Sequence, residues 1–207
     1  MYIPSAFAQE DPNILNAFLR RYSFATLVTQ SSGSLMGSRV PLNVVGEVGT
    51  DRSNPGIVLE GHVARANPQW RGIQGEALVI FDGPHAYVSP TWYEEAGTVP
   101  TWNYTSIHAY GPIQLVDDRA GLLDILTRSV AVYESGQPTP WTFDPSAAFI
   151  EGLLKAIVGF RIEVSRLDAK WKLSQNHSQN RRDRVVAALA AQDDPDAKRV
   201  AQFMQNL

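Results

Sequence analysis

Residues 24–45 read FATLVTQSSGSLMGSRVPLNVV and contain the pattern from which the class of fold follows. Two runs rich in branched residues, Phe24–Thr29 and Leu35–Val45, flank a turn rich in Ser and Gly. This arrangement is typical of two strands joined by a short connection. Strands that follow one another in this way favour an antiparallel barrel or sandwich over a doubly wound parallel sheet.

Outside this stretch, residue spacing predicts further strands and several helices. The strands are Ile57–Val63, Ala77–Phe81, His85–Ser89, Ile107–Val116 and Phe160–Val164, with a hairpin loop at Gly49–Gly56. The helices begin at Asp11-Pro12, span Leu122–Tyr133, begin again at Asp144-Pro145, and occupy the tail beyond Asp183 with a break before Pro195. We therefore expect one mainly β domain over residues 1–207, with peripheral helices and a C-terminal helical tail at about 183–207.

Composition excludes several classes of protein. The 207 residues are 44% hydrophobic and include 5 Trp, 7 Tyr and 8 Phe, enough to bury a large core. The absence of cysteine excludes disulfides, thiolate metal sites and cysteine nucleophiles, and fits a reducing cytoplasm. No leader-like segment or long apolar run is present, so we expect a cytoplasmic protein that does not span a membrane. The formal net charge of -3 gives DNA binding no support.

The first candidate site is GHVARANPQW, residues 61–70, at the end of an apolar strand. Arg65, Asn67 and free backbone amides at a strand-to-helix turn can hold a phosphate. Asn67 can equally cap a short helix that has Pro68 in its first position. The two interpretations are compatible.

Two further stretches carry polar and aromatic groups. Residues 87–93 and 99–104 place Trp and Tyr in a proline-rich loop, where packing at an interface or in the core is favoured over stacking on a ligand. In KWKLSQN, residues 170–176, the two lysines point to one side and the Gln and Asn could read the edge of a heterocycle. A solvated edge strand explains the same lysines, and the spacing does not choose between these interpretations.

Catalytic and metal motifs are not evident. The four histidines are scattered without metal-ligand spacing, so no metal site is predicted. Neither a nucleophile elbow nor a phosphate-binding P-loop occurs, so any chemistry would need a cofactor. A small basic cluster, Arg181, Arg182 and Arg184, allows DNA contact only weakly because no helix-turn-helix pattern accompanies it.

Taken together, these stretches resemble the PaiB-type FMN-binding family of negative transcriptional regulators. The most specific strings are VPTWNY at 99–104 and KWKLSQN at 170–176, and the resemblance covers nearly the whole chain in order. The family is similar to the flavin split-barrel group that includes pyridoxamine-phosphate oxidases and flavin reductases. The resemblance implies a six-stranded antiparallel split β-barrel, a homodimer, and FMN held between the subunits.

The resemblance also implies a set of cofactor-binding residues. The strand carrying Ser38, Arg39, Val40 and Pro41 would lie along the isoalloxazine, and His62, Arg65 and Asn67 would lie near the phosphate and ribityl chain. Lys170, Lys172, Gln175 and Asn176 would close the site, together with Trp102 and Asn103 from the second subunit. Pyridoxamine-phosphate oxidases carry S-R-K where this chain has Ala64-Arg65-Ala66, so Lys170 and Lys172 are the alternative cations.

Three functions follow as hypotheses. The first is a flavin-binding regulator of the PaiB type. The second is an FMN-dependent oxidoreductase, either a flavin reductase or an enzyme like pyridoxamine-phosphate oxidase, in which the cofactor does the chemistry. The third is a dimeric scaffold with a vestigial pocket, suggested by the alanines on either side of Arg65.

Overall fold

The computed structural model describes residues 1–31, 33–51 and 54–207, with the backbone alone at residue 74. Within these residues the chain forms eight strands and five α-helices. The strands are β1 (Phe24–Ser31), β2 (Ser34–Pro41), β3 (Asn43–Gly46), β4 (Ile57–Ala64), β5 (Ile73–Val88), β6 (Thr101–Val116), β7 (Ile157–Glu163) and β8 (Arg166–Lys172). The helices are α1 (Pro12–Arg21), α2 (Arg119–Glu134), α3 (Ala148–Lys155), α4 (Gln179–Ala190) and α5 (Pro195–Gln205).

The strands form a sheet in the order β2-β1-β5-β6-β7-β4-β3, and β8 pairs with β6. The β1–β2 hairpin is antiparallel from Phe24 opposite Pro41 to Ser31 opposite Ser34. The β1–β5, β3–β4, β4–β7 and β6–β7 pairs are antiparallel as well. The predicted hairpin at 49–56 is confirmed because β3 pairs directly with β4, although residues 52 and 53 lie outside the described part of the chain.

Several predicted boundaries were wrong for identifiable reasons. The predicted strand at 35–45 is two strands, since the chain breaks at Leu42, whose N–H donates to the carbonyl of Ser23 at 2.9 Å. The predicted strands at 77–81 and 85–89 are one 16-residue strand, β5, in which Gly83 and Pro84 interrupt the apolar pattern without ending the strand. The helix expected at Asp144 begins at Ala148, because the Asp144 carboxylate accepts from the Ser146 N–H in a preceding turn.

The residues group into two compact units that share β5 and β6. We call Asn16–Phe81 with His108–Leu167 the central unit, and Met1–Leu15, Asp82–Ile107 and Asp168–Leu207 the terminal unit. The single domain expected over residues 1–207 stays a prediction.

The core of the central unit lies under the sheet. Leu27, Leu59, Val79 and Ile162 are buried on β1, β4, β5 and β7. Glu60 follows Leu59 on β4 and therefore points to the other face of the sheet, where it is 3% exposed and accepts hydrogen bonds from two arginines. A buried carboxylate is tolerated only when it is paired in this way.

The terminal unit contains the last two helices. α4 buries Val185 and Leu189, and α5 buries residues at helical spacing, Val200 and Met204 among them. α5 begins with Pro195, preceded by Asp194, whose carboxylate accepts from the Asp196 N–H at 2.9 Å. The predicted break before Pro195 is therefore confirmed, while the helix before it begins at Gln179 rather than near 183.

Candidate functional site

The four β2 residues predicted to lie along a flavin divide between the two faces of the strand. Ser38 is half-buried and Val40 is buried, whereas Arg39 and Pro41 are exposed. Alternate residues of a strand point to opposite faces, so a ligand on the outward face would meet the side chains of only Arg39 and Pro41. The backbone of the other two residues would still lie beneath it.

Neither the backbone conformation nor the packing of β2 requires a glycine at position 37. Gly37 does not have a positive φ, and a Cβ placed on it would meet only Thr26 Cγ2, at 3.9 Å. Gly61 on β4 differs, because a Cβ there would lie 2.8 Å from Phe160 Cζ and 2.9 Å from Leu42 Cδ2. A glycine inside a strand weakens the strand and often marks a place where a ligand or another backbone approaches closely. The outward face of β2 at Gly37 therefore fits a flat ligand.

Arg39 lies two residues from Gly37 on the same face of β2, and its contacts are with uncharged groups. Its guanidinium donates to the Phe24 carbonyl at 2.6 Å and lies 4.9 Å from the centre of the Phe24 ring. A weaker contact joins Arg39 Nη1 to Thr26 Oγ1 at 3.4 Å. In the part of the chain that the structure describes, no carboxylate pairs with this guanidinium. It therefore retains donors and charge for an anionic group.

Arg65, in contrast, is engaged within the central unit. Its Nε donates to the Lys155 carbonyl and its Nη2 to the Ile157 carbonyl, both at 2.8 Å. Both carboxylate oxygens of Asp117 accept from the same guanidinium. This pairing raises the pKa of Arg65 and lowers the pKa of the Asp117 carboxyl. The arrangement anchors the turn after β4 and leaves little of Arg65 for a phosphate.

Asn67 and His62 complete the predicted residues of this unit. Asn67 Nδ2 donates to Ser38 Oγ at 3.0 Å, which joins the turn after β4 to β2. Asn67 Oδ1 also accepts from the Gln69 N–H at 2.9 Å, so the predicted cap of the short 3-10 helix at Pro68–Trp70 is confirmed. His62 is half-buried on β4, and burial lowers the pKa of its imidazole. The neutral ring therefore offers hydrogen bonding rather than charge.

The remaining predicted residues belong to the terminal unit. Lys172 Nζ donates to Thr101 Oγ1 at 2.5 Å and to the Trp102 carbonyl at 2.7 Å. Burial, and then the neighbouring Lys170 charge, lower the pKa of Lys172. Lys170 is buried, and its Nζ donates to the Tyr2 carbonyl at 3.1 Å and lies 5.4 Å from the centre of the Tyr104 ring. The two lysines thus have different surroundings.

Two predicted amides satisfy contacts inside the terminal unit. Gln175 Nε2 donates to the Trp171 carbonyl at 2.6 Å and its Oε1 accepts from the Leu173 N–H at 2.8 Å, so its side chain folds back on the turn. Ser174 has the positive φ of 65° that this turn requires. Asn103 is fully buried and its Nδ2 donates to Ser174 Oγ at 3.0 Å. These contacts give both amides a structural role.

A cavity of about 300 Å³ lies in the terminal unit. It brings together several residues of the VPTWNY and KWKLSQN strings and three residues from outside those strings. The lining includes Thr101, Asn103, Lys172, Ser174 and Asn176, with Tyr93, His177 and Arg181 as the additional residues. The VPTWNY and KWKLSQN strings were the sequence signal for this region, and both contribute residues to the wall of the cavity.

Some aromatic side chains of this unit are exposed. Trp102 is 54% exposed and its ring lies edge-on to that of Tyr87 at 5.9 Å. His85 lies 6.0 Å from the same Trp102 ring. Exposed aromatic groups of this size are typical of interfaces between proteins.

The basic cluster predicted as a weak DNA contact is largely paired. Arg181 donates to Glu95 Oε2 at 2.9 and 2.6 Å, and this pairing lowers the pKa of Glu95. Arg184 donates to the Tyr93 carbonyl and lies 3.5 Å from the Glu94 carboxylate. Paired arginines offer less charge to a nucleic-acid backbone.

Among the described residues, no helix is both long and apolar enough to cross a membrane.

Comparison with known proteins identifies related sequences and structures. Residues 1–166 match the model of a family described as "Putative FMN-binding domain". The whole chain is 35% identical to protease synthase and sporulation protein PAI 2 of Bacillus subtilis strain 168, and the alignment covers 97% of that protein.

Two solved structures share the fold at low sequence identity. One is a flavocytochrome of Azotobacter vinelandii, with a TM-score of 0.57, 14% identity, and coverage of 80% of this chain and 69% of that chain. The other is a conserved hypothetical protein of Mycobacterium tuberculosis, with a TM-score of 0.55, 12% identity, and coverage of 86% and 96%. These similarities confirm the predicted fold, a mainly antiparallel split barrel with helices. The predicted number of six strands was wrong, because the described residues form eight: the stretch at 35–45 divides into two strands, and β8 follows β7.

Proposed function

Because the chain belongs to this FMN-binding domain family, we propose that it is a flavin-binding regulatory protein of the PaiB type whose FMN lies on the outward face of β2. FMN, the cofactor predicted from the sequence, is the cofactor of this family. When bound, FMN supplies hydride and single-electron transfer. The protein's part is to bind and orient the flavin.

The observation that carries the proposed location is the pair formed by Gly37 and Arg39. Gly37 leaves a flat strand face against which a planar ring can lie, because nothing within the chain fills the space of a Cβ. Arg39 supplies a guanidinium without a carboxylate partner among the described residues, as a phosphate requires. The backbone of Ser38 and Val40 would lie under the ring, with Pro41 at its edge.

The other predicted residues of the central unit take supporting roles in this proposal. Arg65 is a positioning residue, since Asp117 and two carbonyls already occupy its guanidinium. Asn67 holds Ser38 and thereby fixes β2 relative to the turn after β4. His62 offers a neutral imidazole that can donate or accept one hydrogen bond.

A homodimer would cover the exposed groups of both units. On the outward face of the β1–β2 hairpin, Leu35 is 75% exposed and Phe24 is 56% exposed. Tyr87 and Trp102 expose further aromatic surface in the terminal unit. Exposed apolar groups of this kind support a second subunit that closes over the flavin. Size-exclusion chromatography with light scattering should give about twice the 22.8 kDa of one chain, and a monomer at all concentrations would contradict this part of the proposal.

The regulatory role rests on similarity to PAI 2 over the whole chain, a protein named for protease synthesis and sporulation. The proposed role does not depend on direct DNA contact by Arg181 and Arg184, because both are paired with glutamates. A cytoplasmic location fits this role and stays part of the proposal.

The alternative, an FMN-dependent oxidoreductase, has one supporting observation. The cavity in the terminal unit has the size of small-molecule sites and contains Lys172 and His177. Steady-state oxidation of NADH or NADPH by the FMN-loaded protein would favour the enzyme, whereas binding without turnover would favour the regulator.

The location of the flavin is tested with a matched pair of arginine variants, Arg39→Met and Arg65→Met. Each removes one guanidinium from the central unit, and FMN affinity is measured by quenching of flavin fluorescence. Loss of a charge-assisted contact to a phosphate should weaken FMN binding about 10- to 100-fold in Arg39→Met. Arg65→Met should lower the unfolding temperature and change the affinity less.

The opposite pattern would place the phosphate at Arg65 and overturn the proposed location. Wild-type protein that does not bind FMN at ~100 µM, a threshold of about -5 kcal/mol, would leave the scaffold with a vestigial pocket.

A further inference from the structure

The cavity of the terminal unit has features that the proposed flavin site does not use. Its volume of about 300 Å³ lies at the lower end of the range of pockets that bind small organic molecules. Thr98, Thr101 and Asn176 contribute polar groups to its wall, and Phe7 contributes an aromatic ring. Such a mixture of polar and apolar groups can orient one small ligand.

The wall is positively charged. Lys172 donates only to neutral oxygens, those of Thr101 and Trp102, and no carboxylate within the described ranges pairs with it. Arg181 shares its charge with Glu95, which does not line the cavity. His177 lies 3.5 Å from Arg181 Nη1 through its Nδ1, and its pKa is lowered by burial, Arg181 and Lys172. Its imidazole is therefore neutral at neutral pH, and Lys172 is the cation that lacks an anion.

One side of the cavity is an aromatic wall. The rings of Tyr93 and His177 lie 5.1 Å apart with 33° between their planes. Tyr93 is 1% exposed, so its ring is held in place by the residues packed around it. The ring of a ligand can pack against this pair, because tilted and offset contacts between aromatic rings are favourable.

We propose that this cavity binds a small aromatic carboxylate, with the carboxylate at Lys172 and the ring against Tyr93 and His177, at a site separate from FMN. The carboxylate would pair with the Lys172 ammonium group and accept from the Asn176 amide, and the ring would fill the apolar space that an inorganic ion leaves empty. For a flavin-binding regulator, such a ligand would be the effector. For an oxidoreductase, it would be the substrate.

The probe for this site is benzoate, with benzamide as its neutral counterpart and inorganic phosphate as an anion without a ring. Calorimetric titration of the full chain should show saturable benzoate binding in the millimolar range, about -4 kcal/mol. Benzamide and phosphate should each bind at least about tenfold more weakly, because each lacks one of the two interactions.

Two lysine variants on β8 form a matched pair. Lys172→Met removes the cation from the cavity wall and should weaken benzoate about tenfold or more. Lys170→Met removes an equal charge two residues away, from a buried lysine that does not line the cavity, and should weaken benzoate clearly less than Lys172→Met does. Asn176→Asp places a negative charge at an exposed lining residue and should weaken benzoate but not benzamide.

The outcomes separate this proposal from the proposed function. Benzoate binding that FMN does not displace supports a separate site, even if the FMN titration fails. Competitive displacement by FMN would make the cavity the flavin site and overturn the proposal. No saturation by ~50 mM, or equal losses in both lysine variants, would also overturn it.

Discussion

Replacement of Gly37 by alanine should stabilise the protein and at the same time weaken its flavin binding. The added Cβ would meet only Thr26 Cγ2 at 3.9 Å, which is ordinary van der Waals contact. Because glycine costs a strand about 0.5–1 kcal/mol relative to alanine, the free energy of unfolding should rise by about that amount. For a chain of this length, the unfolding temperature should increase by about 1–4 °C.

The same methyl group would lie where the flavin ring is proposed to rest. Overpacking costs about 1–3 kcal/mol, so FMN affinity should fall about 5- to 150-fold in Gly37→Ala and further in Gly37→Val. Gly61→Ala is the control, because its Cβ would collide with Phe160 and Leu42 and should lower the unfolding temperature. The assays are differential scanning fluorimetry and FMN titration. A stable Gly37→Ala variant that binds FMN as the wild type does would show that the flavin ring does not rest on this strand face.

Three further predictions concern the supporting structure. Glu60→Gln should lower the free energy of unfolding by about 2–3 kcal/mol in urea titration, since Glu60 loses its charge-assisted bonds to Arg128 and Arg161. The pKa of Asp117 is lowered in the folded state, so its contribution is present at neutral pH and is lost as the pH falls through that pKa. The difference in unfolding temperature between wild type and Arg65→Met should therefore become smaller in acid, leaving the part due to the bonds to the Lys155 and Ile157 carbonyls. A constant difference would contradict the ion pair. Asp194→Ala should cost about 1 kcal/mol, measured in the same urea titration, by removing the cap of α5.

The parts of the fold that sequence could predict are those that local chemistry determines. Runs rich in branched residues located β1 and β4, and Pro195 located the beginning of α5. The length of β5 could not be predicted, because Gly83 and Pro84 carry the local signs of a turn. Pairing with neighbouring strands, which no local pattern records, continues the strand through them.

The sequence could predict which segments contain the residues of the candidate site, but not what each of those residues does there. Arg65 has the residue type of a phosphate ligand, but its partner Asp117 lies 52 residues along the chain. Gln175 has the residue type of a group that reads a heterocycle, yet the left-handed backbone at Ser174 turns its amide back on the chain. Tyr93 and Arg181 were not expected in the cavity, because nothing local connects their segments.

Amide chemical-shift mapping of the isotope-labelled chain can locate FMN on the outward face of β2. On addition of FMN, the largest shifts are expected at the amides of Gly37, Ser38, Arg39 and Val40, with small shifts at Gly97 and Asn176 beside the cavity. Large shifts confined to Gly97, Asn176 and their neighbours, with β2 unchanged, would contradict this location.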